Sequence, residues 1–150
     1  YPEDTQMLMR KGELYIQSGS FAEARAIYDR LIQLDARNPY YLQQQSKSFF
    51  LEGRYDSALI QARRALVLDE QDMGTRVIVA RSLENQRLYD EAKEAYSGIL
   101  ATDSTIIAAR DGLERITKRE SYLRYLRDQE RKQEEIQLPD LTPINPLDDQ

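Results

Sequence analysis

The sequence contains no cysteine, no histidine and no tryptophan, and its 150 residues include only six glycines and five prolines. Without cysteine there can be no disulfide and no thiolate zinc site. Without histidine, the commonest metal ligand and the usual neutral-pH acid-base group are both missing. No apolar run approaches the roughly 18 residues that cross a bilayer as a helix, so no membrane insertion of this segment is expected. The phosphate-loop, dinucleotide, zinc-protease and nucleophile-elbow patterns are missing as well. Catalytic residues, a bound cofactor and a metal ion are therefore all unexpected. The first residue is Tyr1 rather than Met, so a leader, anchor or further domain is expected outside these residues, and the compartment stays open.

Charge is plentiful but mixed. Lys and Arg number 21 against 26 Asp and Glu, for a net charge of -5. That balance predicts a solvated surface and argues against nucleic acid as the main partner.

What is present is a repeat. Phe21 and Ala24, Tyr55 and Ala58, and Tyr89 and Ala92 form the same aromatic-to-alanine spacing, each pair 34 residues after the last. A constant period without insertion means a stack of like units, each burying its apolar face on its neighbours. Within a unit the apolar residues follow helical spacing, and a short turn containing Gly19, Gly53 or Arg87 separates two helices. Short connections make the two helices antiparallel.

Capping residues mark the starts. Asp4 or Thr5, Asn38 before Pro39, and Asp72 precede the first helix of each unit, and Ser20 with Glu23 spells a capping box for the second helix of the first unit. Helix two is expected to bury Ala24, Ile27, Tyr28, Leu31 and Leu34. Gly12 lies inside a helix, where it disfavours the helical state by about 1 kcal/mol against Ala. A close approach of a neighbouring helix is the reason expected for it.

The pattern resembles the tetratricopeptide repeat. With Thr5, Pro39 and Met73 as first positions, position 8 holds Gly12, Ser46 and Ala80, position 11 holds Tyr15, Phe49 and Leu83, and position 20 holds Ala24, Ala58 and Ala92. Position 24 holds Tyr28, Ala62 and Tyr96. The sequence departs from the family pattern at position 4 (Leu8, Leu42, Arg76), at position 32, which never holds proline, and at Arg87, where glycine is usual. The resemblance covers residues 5–106. It implies an all-α fold, a right-handed superhelical α-solenoid of antiparallel helix pairs with a long C-terminal helix. The segments are then a lead-in over 1–4, repeats over 5–38, 39–72 and 73–106, a capping helix over 107–137, and a Pro-rich extended tail over 138–150.

The capping helix is expected to begin near Ser104, capped by Asp103 or Ser104, with Ile107, Leu113, Ile116, Leu123 and Leu126 on one stripe. Beyond Leu126 it continues as a charged helix, either projecting into solvent or serving as a docking arm. The tail holds three of the five prolines and regularly spaced Leu and Ile. It is either a plain disordered segment or an extended strand lying on a groove of this molecule or of a neighbour. Asp35, Asp69 and Asp103 recur at the repeat period, and their expected role is capping or turn formation rather than chemistry.

The same resemblance implies a function without catalysis. In this family the first helix of each unit lines a concave face, and positions 2, 5, 9 and 12 point into it. Here those are Gln6, Met9, Glu13 and Ile16; Tyr40, Gln43, Lys47 and Phe50; and Gly74, Val77, Arg81 and Glu84, with Asp111 and Arg115 added by the capping helix. The partner-binding set expected is thus Met9, Glu13, Tyr40, Gln43, Lys47, Phe50, Val77, Arg81, Asp111 and Arg115. Tyr40-Tyr41 and Gln43-Gln44-Gln45 offer planar faces and amide groups suited to an extended backbone. The carboxylate clamp of chaperone-binding members is absent, since its positions hold Met9, Glu13, Gln44, Gly74 and Ile78. The partner implied is a peptide or helix of another protein, held by an adaptor or scaffold. The alternatives are a self-assembling module that forms a homo-oligomer through its C-terminal helix or tail, and an accessory domain of a larger protein or enzyme.

Overall fold

The computed structural model describes residues 4–137, which form helices α1 (Thr5–Gln17), α2 (Phe21–Leu34), α3 (Pro39–Leu51), α4 (Tyr55–Leu68), α5 (Met73–Asn85), α6 (Tyr89–Thr102) and α7 (Ile107–Gln137). No strand occurs among the described residues. The chain divides into two units, Tyr1–Glu114 and Arg115–Gln150. The first is a helical solenoid in which each of α1 to α5 packs on the next, and α3 also packs on α5. That last contact puts the first helices of successive pairs side by side on one face.

Three starts are fixed by side-chain caps. Asp4 Oδ1 accepts from the Gln6 amide at 3.0 Å, Asn38 Oδ1 from the Tyr40 amide at 3.1 Å, and Asp72 Oδ2 from the Thr75 amide at 2.8 Å. Asn38 and Asp72 each satisfy one of the backbone donors that a helix start leaves without a partner, and Asp4, which also accepts from the Met7 amide, satisfies two. Helices α2, α4 and α6 have no such cap. The Ser20 hydroxyl bonds Ser18 instead of the α2 amides, so the expected capping box does not form.

The preceding turn leaves Ser20 no freedom to cap. Gly19 has φ +79, its amide donates to the Ile16 carbonyl at 3.1 Å, and the Ser20 amide donates to the Tyr15 carbonyl at 2.8 Å. This is a Schellman turn, and it recurs at Gly53 (φ +82) and Arg87 (φ 64) with the same bond pair. The hairpin geometry is thus set by the end of one helix more than by the start of the next.

The core of the first unit is built on small residues. Ala24, Ala58, Ala62, Ala65, Ala80, Ala92 and Ala109 are fully buried, and Tyr28, Leu31, Tyr96 and Ile99 fill the spaces between helices. Gly12 has the role expected of it: a Cβ there would sit 2.8 Å from the Tyr28 ring. Gly112 does the same for the Tyr96 ring, which lies well inside contact distance of where its Cβ would be. Leu34 is not core, however. It is the last residue of α2 and is 59% exposed, because Asp35 turns the chain away before the side chain can reach the next helix. Leu68, at the matching end of α4, is likewise exposed.

The three aspartates Asp35, Asp69 and Asp103 accept from the amides of Arg37, Gln71 and Thr105 at 3.0, 3.2 and 2.9 Å. They form Asx turns between pairs. The Thr105 hydroxyl and amide hold the Asp103 carboxyl below the usual range. Asp103 and Ser104 do not cap α7, which starts at Ile107; the carbonyl of Ile106 receives the amides of Ala109 and Arg110 instead. Ile107, expected on the apolar stripe, is 67% exposed.

The second unit contributes the helical residues 115–137. Tyr122, Leu123, Tyr125, Leu126 and Ile136 are all exposed there, and Arg131 pairs with Asp128 at 3.1 Å. The segment 138–150, expected to be extended, lies outside the described residues.

Candidate functional site: a cleft along α3 and α5

The cleft is a consequence of the α3 to α5 contact. A cleft of about 560 Å³ runs between the two helices, lined by Tyr40, Gln43, Gln44, Lys47, Phe50 and Leu51 from α3, by Asp72 at the start of α5, and by Gly74, Thr75, Val77, Ile78 and Arg81 from α5. Positions 40, 43, 47 and 50 are spaced three, four and three apart, which keeps them on one stripe of α3. Six of the ten residues expected from the repeat register therefore share one cleft: Tyr40, Gln43, Lys47, Phe50, Val77 and Arg81.

Glu13 belongs to an adjoining hollow of about 200 Å³, lined also by Ile16, Gln17, Tyr40, Gln44 and Lys47. Met9 is half-buried against the core cluster around Tyr28. Asp111 and Arg115 are exposed on α7 and line neither hollow. Ile16, also placed in the groove by register, is 7% exposed and packs with Ala24 and Tyr28. Its side chain is core with one edge showing.

Two polar groups expected to face a ligand are buried instead. Tyr41 is 4% exposed and is part of the cluster with Tyr28 and Leu31. Gln45 is 3% exposed, and its Nε2 donates to Asp29 Oδ1 on α2. One residue of helical rotation separates each from a cleft residue, which is enough to turn it through about 100° onto the α2 side. Gln44, expected with its neighbours to offer an amide, does line the cleft, as does Ile78 at a clamp position, and Leu51 and Thr75 join them although no expectation placed them there.

The lining is held in place by aromatic and charged contacts. The Tyr40 hydroxyl donates to Glu13 Oε1 across the two pairs. Burial, then the bond to Glu13 and its charge, push the Tyr40 phenol up to about 12. Tyr28, in edge contact with Tyr40 at 6.5 Å, is raised further, first by its own burial. Both phenols are neutral at any physiological pH, so Tyr40 offers a ligand an uncharged ring. At the other end the Arg81 guanidinium lies over the Phe50 ring at 4.7 Å, and Phe50 meets Tyr55 edge-on at 5.5 Å. Arg81 and Lys47 are exposed, while Phe50 and Val77 are half-buried. Arg81 therefore covers part of an apolar anchor and can swing off it, because an exposed cation-π contact contributes only about 0.5–1 kcal/mol.

Among the described residues no group of three or more Asp and Glu side chains is placed to hold a metal ion, and no helix is long and apolar enough to cross a membrane.

Helix pairs of this length, stacked through buried alanines with a Schellman turn inside each pair, define a tetratricopeptide-repeat solenoid. Residues 17–99, more than half of the chain, match the family described as anaphase-promoting complex, cyclosome, subunit 3, and the chain belongs to that family. It is similar to the TPR repeat-containing thioredoxin TTL4 of Arabidopsis thaliana, with 30% identity over 66 residues that cover 44% of this chain and 10% of that protein. The chain thus spans a small part of that relative.

Three solved structures show the same fold. The first TPR of Spaghetti (RPAP3) bound to the HSP90 peptide SRMEEVD has a TM-score of 0.74 and 19% identity, covering 81% of this chain and 96% of that one. The Sgt2 TPR domain of Aspergillus fumigatus has a TM-score of 0.73 and 20% identity, covering 83% of each chain. The Yersinia enterocolitica secretion chaperone SycD, in complex with a peptide of the translocator YopD, has a TM-score of 0.71 and 17% identity, covering 77% of this chain and 93% of that one.

Proposed function

We propose that this chain is a protein-interaction module without catalysis of its own, an adaptor whose cleft along α3 and α5 holds a segment of a partner protein. One observation carries the reading. Phe50 and Val77, both half-buried, and the open edge of Tyr40, whose ring also packs against the core cluster, present apolar surface in the same cleft as the exposed cations Lys47 and Arg81. Aromatic anchors ringed by polar and cationic groups are the composition of a peptide-binding surface. Two of the solved structures with this fold were determined with peptides bound, which supports the same use of the fold here.

The acidic chaperone peptide is not the ligand proposed. The clamp positions hold Met9, Glu13, Gln44, Gly74 and Ile78, and Glu13 sets a carboxylate where an acidic terminus would be repelled. The ligand that fits is an extended segment with apolar side chains for Tyr40, Phe50 and Val77 and an acidic group for Lys47 and Arg81.

Panning a random peptide library displayed on phage against the full chain tests this. Enriched peptides are expected to carry apolar residues beside Asp or Glu. They are expected to bind a Lys47→Glu/Arg81→Glu variant at least about tenfold more weakly, a loss of about 1.4 kcal/mol. Peptides that bind both proteins equally would place the interaction elsewhere.

A further inference from the structure

The segment 138–150, Leu-Pro-Asp-Leu-Thr-Pro-Ile-Asn-Pro-Leu-Asp-Asp-Gln, has a period of its own. Its large apolar residues stand at Leu138, Leu141, Ile144 and Leu147, a constant spacing of three. Pro139, Pro143 and Pro146 lie between them. Proline favours the polyproline-II conformation, which turns once every three residues and rises about 3.1 Å per residue. In that conformation the four apolar side chains share one edge, about 9 Å apart. The segment also carries Asp140, Asp148 and Asp149 and no Lys or Arg.

The cleft has the matching features. Along α3, Tyr40 and Phe50 are ten residues apart, about 15 Å, which accommodates two contacts at a 9 Å spacing. Lys47 lies between them and Arg81 lies over Phe50, two cations against the single carboxylate Asp72 in the lining, so an acidic ligand is favoured. We infer that the occupant of the cleft is the 138–150 segment of a second copy of this chain, with Leu141 and Ile144 as its central apolar contacts. The inference rests on the reading of the cleft as a peptide-binding site.

Two copies that exchange their segments satisfy both clefts and close as a symmetric dimer. Any other partner for the cleft must then displace that segment, so self-association and partner binding exclude one another.

Three full-length proteins test the inference: the wild type, a Leu141→Asp/Ile144→Asp variant and the Lys47→Glu/Arg81→Glu variant. The probe is a fluorescent synthetic peptide of residues 138–150. By sedimentation, the wild type is expected to shift from monomer to dimer as concentration rises, while both variants stay monomeric. By fluorescence anisotropy, the peptide is expected to bind the Leu141→Asp/Ile144→Asp protein, whose own segment no longer competes. It is expected to bind Lys47→Glu/Arg81→Glu at least about tenfold more weakly, with circular dichroism showing equal helix content. Peptide that binds neither protein, or both equally, overturns the inference. A wild type that stays monomeric while its segment variant binds the peptide overturns the assignment to a second copy. If library peptides bind the cleft and this peptide does not, the inference fails and the cleft reading stands; if neither binds, both fail.

Discussion

At Gly12 the ring of Tyr28 occupies the space a side chain needs, with its Cζ 2.8 Å from an added Cβ. Alanine gains about 1 kcal/mol of helix propensity at such a site, while forcing a methyl group into a filled core costs about 1–3 kcal/mol. Tyr28 is fully buried and has no room to give way, so the clash is the larger effect. Gly12→Ala is predicted to lower stability by up to about 2 kcal/mol, read from its urea midpoint. Arg87 presents the opposite case. It adopts φ 64 in a turn whose two counterparts are Gly19 and Gly53, and a side chain in that region costs about 1–2 kcal/mol. Glycine recovers this strain but makes the unfolded chain freer by about 0.4–1 kcal/mol. Arg87→Gly is therefore predicted to raise stability by up to about 1 kcal/mol in the same assay, and an equal or lower midpoint would contradict the strain. Tyr40 gives a prediction in pH. Its pKa rises from 10.0 to about 12 on folding, so the unfolded chain ionises first. Its contribution is fully present below pH 10 and is lost as pH rises toward 12. Urea midpoints on either side of pH 10 should fall more steeply for the wild type than for Tyr40→Phe. Gly12 and Arg87 were both legible in the sequence, one as a glycine inside a helix and the other as a departure from a repeated glycine. Leu34 was not, because helical periodicity cannot show where a backbone turn takes the last residue out of the core.

Among the elements, the clearest distinction is between helices that start on a cap and those that start from a turn. Asp72 serves two groups of Thr75, its amide at 2.8 Å and its hydroxyl at 2.5 Å. Asp72→Ala is predicted to cost about 1 kcal/mol, a usual loss for an N-cap. Ser20→Ala is predicted to cost less than about 0.5 kcal/mol, since its hydroxyl caps nothing in α2. A comparison of the two by thermal melting checks whether the cap or the Schellman turn governs these starts. A full-sized loss from Ser20→Ala would mean that the turn alone does not hold α2. The residues S-x-x-E matched a capping box in composition, yet the box needs a free backbone at Ser20, and the turn before it had already used that amide. Local motifs compete for the same donors, and residue types alone do not reveal which one wins. The start of α7 was misplaced for a related reason. Asp103 is a good capping residue, but its carboxylate closes the Asx turn on Thr105 and the helix begins at Ile107.

For the whole molecule, the period carried most of the fold. A translation of 34 residues that returns the same aromatic and alanine positions specifies helix pairs and their stacking together, because each pair is stable only against a neighbour. Register within the pairs then brought Tyr40, Gln43, Lys47, Phe50, Val77 and Arg81 to one cleft. The same register misjudged Ile16, and the chemistry of their side chains misjudged Tyr41 and Gln45; all three turn onto α2 or into the core. Such errors follow from the helix itself, where neighbours about 100° apart belong to different faces. The central claim is that the α3 and α5 face, and not the opposite one, holds the partner. The most direct test places a photo-cross-linking amino acid at Val77 in the cleft or at Val67, which is 86% exposed on α4, in otherwise unchanged full-length protein. Illumination in the source cells is predicted to give protein adducts from position 77 and none from position 67. Adducts confined to position 67, or equal at both, would contradict the account.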